Sequence, residues 1–252
     1  MSQGGPFSIK LIIMNLDFVK TPFTNNPSMV RYQGNPYNKN PNQYYIKQKK
    51  KELKHNKEKL IGESKLSMDI ELRKLVTTYI KGEKSLTLEE LTLAVEEDFA
   101  VMHKGKMELA SVCFPSGWIP SNKLGKHLSN IHKPVADNDQ LIKSSKKLSE
   151  YMCKQSIRRW VWTITTYPEL SNFPGFEKPK VSKLENLYFR VETQTSVPLN
   201  DETSLFFIKV EVVPLLKIWN TKILESVNSM SENVLNYKDL LQIKKLLNTI
   251  TQ

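Results

Sequence analysis

Three runs in the second half of the chain, "RRWVWTITT", "NLYFRVETQTSV" and "SLFFIKVEVVPL", constrain its fold more than anything else in it. Each alternates side chains with a period of two, as a strand showing different residues to its two faces must. The second and third are joined only by the turn "PLNDET", too short for a helical crossover, so they pair antiparallel. "HKGKMELASVCF" is a further hairpin around "KGK", with Ala110, Val112 and Phe114 alternating against Leu109, Ser111 and Cys113. Strands joined by turns, with helical patterns before and after them, specify an α+β fold with an antiparallel sheet flanked by helices.

The remaining segments are placed around that sheet. Residues 1–43 read as an irregular N-terminal arm, rich in Pro, Asn and Tyr from residue 17 onward, and residues 44–252 as one domain. Helical patterns run from Tyr44 to about Leu60 and from Ser67 to about Lys81, the latter with Ile70, Leu72, Leu75, Val76 and Tyr79 as its apolar stripe. "SLTLEELTLAVEEDFAVMH" passes from a short helix into a strand. Pro120-Ser121-Asn122 starts a helix that carries Leu124, Leu128 and Ile131 and ends near His132, because Lys133 precedes Pro134. "NDQLIKSSKKLSEYMCKQ" is another helix, and a C-terminal helix over residues 222–249 closes the chain.

Composition excludes several functions. A formal charge of +11 suggests an acidic partner. The excess is lysine, however, densest in "YIKQKKKELKHNKEK", which reads as a solvated helix face, and no RNA-binding, zinc-finger or repeat signature supports nucleic acid. Cys113 and Cys153 are the only cysteines and form no C-x-x-C, so no thiolate zinc site, disulfide framework or four-cysteine cluster is indicated; a reducing cytoplasm is the expected setting. "SIKLIIMNLDF" is too short and interrupted for a membrane span, and Met14 within it is an alternative start. Neither a G-x-G-x-x-G turn nor a P-loop occurs, so the chain has no recognisable flavin- or nicotinamide-binding module of its own.

Candidate chemistry gathers in two places. On "LYFRVETQT", Tyr188, Arg190, Glu192 and Gln194 share one face, either as a solvated strip with a cross-strand ion pair or as the lining of a pocket. On "RRWVWTITT", Trp160, Trp162 and Ile164 face away from Arg159, Val161 and Thr163; core packing is the ordinary reading and stacking on a flat ligand the alternative. The second place is "NIHKPVADN". His127 and His132 sit five residues apart on the expected helix, so their rings diverge by roughly 140° and cannot clamp one ion. One histidine is too few for zinc but enough for haem, whose porphyrin supplies the other four nitrogens, although a lone histidine is more often a structural or exposed residue.

The order of "VEEDFAVM", "FPSGWIPSNKLGKHLSNIHKPV", "RRWVWTIT", "YFRVETQT" and "SLFFIKVEVVPL" resembles the alpha-subunit-like family of haem-dependent oxidative N-demethylases, long catalogued only as a domain of unknown function. The resemblance is strongest over residues 90–217. It implies a PAS-like domain holding haem b, and the use of O2 to remove a methyl group from a small secondary amine with release of formaldehyde. It also implies electrons from a separate redox partner carrying flavin and iron–sulfur centres. Position and chemistry make His132 the candidate axial ligand of the haem iron. Under the same resemblance Arg190 would meet a propionate or orient Glu192, Glu192 and Gln194 would serve the amine, and Trp118 and Trp162 would wall the haem. Thr193 stands where many relatives are expected to carry a second arginine, which removes a possible anion contact. Two other readings stay open: a non-catalytic PAS-like haem or small-ligand sensor or carrier, and a basic nucleic-acid-binding protein.

Overall fold

The computed structural model describes residues 14–25, 29–82 and 86–251. Residues 8–13 of the apolar N-terminal stretch, and with them the segment ahead of Met14, lie outside the described residues. Among the described residues seven strands form one sheet: β1 (Val30–Arg31), β2 (Ile61–Glu63), β3 (Asp98–His103), β4 (Lys106–Ser111), β5 (Ile157–Thr165), β6 (Tyr188–Asn200) and β7 (Thr203–Pro214). Their order is β1-β5-β6-β7-β3-β4-β2, and every neighbouring pair is antiparallel. The fold is α+β, as the alternation predicts. Both expected hairpins are present: β3–β4 turns through Lys104 and Gly105, each at positive φ (48° and 76°), the conformation a two-residue hairpin demands. The β6–β7 turn is Asp201-Glu202.

Helices cover the sheet. α1 (Gln43–Leu60) starts where the Asn42 side chain accepts from the Tyr44 N–H at 2.9 Å. The expected helix over 67–81 is two helices, α2 (Lys65–Asp69) and α3 (Leu72–Lys81), parted by Glu71 in the left-handed region (φ 53°). α4 (Leu88–Leu93) opens with a reciprocal capping box between Thr87 and Glu90.

Three further expectations are corrected. The helix from Pro120 is a short 3-10 turn (Pro120–Lys123), and α5 (Leu128–His132) follows separately after Gly125 at φ 71°. His127 therefore caps α5 instead of sharing a helix with His132, and the 140° divergence loses its premise. Lys133 keeps helical geometry (φ −50°, ψ −35°) despite the following proline; the Asn138 amide closes the turn by donating to the His132 and Lys133 carbonyls at 2.6 and 3.3 Å. After α6 (Asp139–Met152), the single C-terminal helix expected over 222–249 is broken into α7 (Thr221–Asn228), α8 (Glu232–Tyr237) and α9 (Leu241–Leu247). Ser231 caps α8 by accepting from the Val234 N–H, and Asp239 at φ 58° ends it. Local capping outcompetes the continuous apolar period there.

Alternation sorts β5 and β6 into two environments. Trp162, Ile164, Phe189 and Val191 form a core with Ile223, Val227, Leu235 and Ile243 of the C-terminal helices. The arm closes this side: Phe18 stacks on Trp160 (centroids 5.8 Å apart) and Phe23 meets Trp162 edge-on (5.9 Å). On the opposite face α5 and α6 cover Ile157, Ala100 and Met102, leaving Arg159, Glu192 and Gln194 beside their edge.

Candidate functional site

Strand pairing sets the site. Gln194 lies opposite Arg159, Glu192 opposite Val161 and Arg190 opposite Thr163, all on one face. Glu192 is at the centre: its Oε1 accepts from the Ser116 hydroxyl at 2.5 Å and its Oε2 from Gln194 Nε2 at 2.9 Å. Arg159 Nε donates to Gln194 Oε1 at 2.6 Å, so the Gln194 amide is held at both ends. Arg190 Nη2 stands 3.8 Å from Glu192 Oε1. The strip is thus a connected polar network, with Arg190 only 3% and Gln194 7% exposed, and the solvated-face reading is set aside.

Arg190 also ties two loops to the sheet. It donates to Leu170 O at 2.5 Å, Phe114 O at 2.9 Å and Ser116 Oγ at 3.1 Å. The Phe114 segment is clamped from behind by Asp98, which accepts from the Cys113 and Phe114 N–H groups at 2.9 and 2.7 Å. Asp98 pairs in turn with Lys49 of α1 at 3.6 Å, both side chains fully buried, and Lys49 donates to Thr92 O and Glu97 O at 3.1 and 2.6 Å. A buried lysine is tolerable only when so completely paired. This chain of contacts places Ser116 against Glu192.

His132 ends α5 on the same side. Its Nδ1 lies 3.0 Å from the Leu128 carbonyl, which can only accept, so Nδ1 carries the proton and Nε2 keeps a free lone pair. Burial first, then the positive charge of Arg159, pushes its pKa down to about 4, so the ring is neutral at pH 7. Lys238, at the edge of β5, donates to Trp162 O at 2.9 Å with the Phe23 ring 5.4 Å away; burial brings it down to about 8 against the pull of Glu192.

The structure therefore gathers His132, Arg190, Glu192 and Gln194 on one side of the sheet. Trp118 packs partly buried against the α5–α6 layer on that side. Trp162 is not brought there: it is 4% exposed on the other face, stacked on Phe189 at 5.3 Å. Thr193 also points to that other face, so an arginine in its place would not reach the strip. His127 lines a separate cleft of about 440 Å³ with Gly105, Ser149 and Cys153. Sequence reasoning missed Ser116, Arg159, Lys49 and Asp98 as partners. Arg159 was already placed opposite the tryptophans, and Ile46, Lys49 and Leu53 share helical spacing, but only strand register joins Arg159 to the strip and only the packing of α1 brings Lys49 to Asp98.

Among the described residues no group of three or more His, Cys, Asp or Glu side chains could hold a bare metal ion. A neutral imidazole with Nε2 free and Nδ1–H tied to a carbonyl fits haem iron, which brings its own four nitrogens. A family model described as haem-dependent oxidative N-demethylase, alpha subunit-like, matches residues 37–247. The chain belongs to this family. No curated protein matches it. The family match contains every residue of the site and most of the arm's contact segment lies ahead of it. Among the described residues no helix is long and apolar enough to cross a membrane.

Proposed function

We propose that this chain is the haem-binding oxidoreductase component of an oxygen-dependent demethylation of a small secondary amine, supplied with electrons by a separate flavin and iron–sulfur reductase. The observation that carries this reading is the ligand-ready Nε2 of His132 on the same side of the sheet as the ordered Arg159–Gln194–Glu192 network. Haem b held by His132 would supply oxygen activation. Glu192 is oriented by Ser116 and Gln194 and offers its carboxylate to the ammonium form of an amine, whose proton it can accept. Gln194 keeps that carboxylate in place, and Arg190 holds the loop that carries Ser116. Trp118 supplies an apolar wall.

The absorption spectrum of the protein reconstituted with haem tests the cofactor. A Soret band that shifts or vanishes in His132→Ala is expected; an unchanged spectrum removes His132 from the iron. Formaldehyde release from methylamines with a chemical reductant tests the activity, and Glu192→Ala is expected to abolish it or raise the apparent KM. Haem binding with no formaldehyde from any methylamine would make the chain a carrier or sensor.

A further inference from the structure

Two arginines on the same face use their donors in opposite ways. Arg190 engages protein oxygens with Nε, Nη1 and Nη2 alike. Arg159 engages only Nε, on Gln194; its Nη1 and Nη2 have no acceptor among the described residues. The neighbouring Arg158 offers a second contrast, since it stacks on Tyr32 at 3.6 Å and donates to Thr195 on the opposite face. Arg159 is part-buried, enough to lower its pKa to about 10, while its Nη groups stay open to solvent and so to a ligand. A guanidinium fixed at Nε in a part-buried polar network, with four N–H donors open to an incoming group, is set to take a planar anion. Charge points the same way: Arg159, Arg190 and Lys238 share the Glu192 carboxylate, and Arg159 and Lys123 add positive charge at His132.

We propose that the Arg159 fork is a receptor for a carboxylate, bound on the His132 side of the sheet and held in register by the Gln194 hydrogen bond. A planar fork and a planar carboxylate make two parallel charge-assisted bonds, which a lysine cannot reproduce. The carboxylate belongs either to a haem propionate, which rests on the function proposed above, or to an acid group on the amine substrate. In either case the anion-binding arginine is Arg159, and Arg190 is a positioning residue.

Haem and haem dimethyl ester, titrated into the wild-type protein, Arg159→Met and Arg159→Lys, separate the sources. Circular dichroism melts confirm that each variant folds. If the carboxylate is a propionate, wild type prefers haem over the ester by about tenfold or more. Both variants then lose that preference while the Soret maximum, set by His132, stays in place. If it belongs to a substrate, haem and ester bind wild type equally. N-methylglycine, a secondary amine with a carboxylate, then perturbs the haem-loaded wild-type spectrum but not Arg159→Met, whereas dimethylamine perturbs both. Loss of neither discrimination in the variants overturns the receptor. A protein that takes up no haem overturns the haem reading instead. The receptor is then judged by calorimetric titration of N-methylglycine into the protein as purified: Arg159-dependent binding upholds it, and no binding, or binding equal in Arg159→Met, overturns it.

Discussion

The two faces of β5 and β6 are built from alternate residues of the same strands, yet they obey different rules. The face with Trp162, Phe189 and Val191 is apolar, tightly stacked and closed by three helices and the arm. Its energy comes from area removed from water and from packing, and any residue of similar shape serves. The face with Arg159, Gln194, Glu192 and Arg190 is held by directed bonds, where each donor needs its acceptor. Apolar faces tolerate exchange; polar networks do not, and that intolerance lets them position chemistry.

The largest test of this contrast is Trp162→Ala, which empties a stacked site. It should cost about 3–5 kcal/mol in urea unfolding, while Trp162→Phe should cost clearly less. Equal losses would mean that packing volume does not govern this face.

On the polar side the sharpest test is acid. The folded-state pKa of His132, about 4, lies below the ordinary value of 6.5, so the folded protein binds fewer protons between those values. Its contribution is fully present above pH 6.5 and is lost as pH falls toward 4. With a discount for residual solvent, wild type should lose on the order of 2 kcal/mol more than His132→Gln between pH 7 and pH 4.5. Parallel losses in urea melts at the two pH values would mean that the ring is not buried neutral.

Ser116→Ala removes the hydroxyl that donates to Glu192 and accepts from Arg190. A cost of about 1–2 kcal/mol is expected, with the apparent KM for amine raised more than kcat is lowered. A variant indistinguishable from wild type would show that Glu192 is oriented without it.

The smallest expected effect is that of Thr193→Arg, which restores the arginine expected in relatives. Pointing away from Glu192, it should change stability by less than about 0.5 kcal/mol and leave haem and amine binding as they were. A clear gain in anion affinity would contradict the assigned faces.

How much of this was readable beforehand follows from the range of the forces involved. Period-two alternation is a local signal, so β5, β6, β7 and the β3–β4 hairpin could be drawn from the residues, as could the grouping of Arg190, Glu192 and Gln194. Helix ends were less readable. The apolar period through residues 222–249 suggests one helix, whereas Ser231 and Asp239 divide it by capping bonds and backbone geometry that a hydrophobic pattern does not contain. The same holds for Gly125, which separates His127 from the helix of His132.

By itself the sequence determined the fold class, the strand faces and the absence of a nucleotide-binding motif. Tertiary structure alone decided what those faces meet. Arg159 and Gln194 are 35 residues apart and touch only because β5 and β6 pair in one register. Lys49 reaches Asp98 across 49 residues, an ion pair that exists only once α1 lies on the sheet. Alternation follows from the pleat of one strand, but pairing is set by the burial of the whole core, and a slip of one residue would turn the polar network to the apolar side.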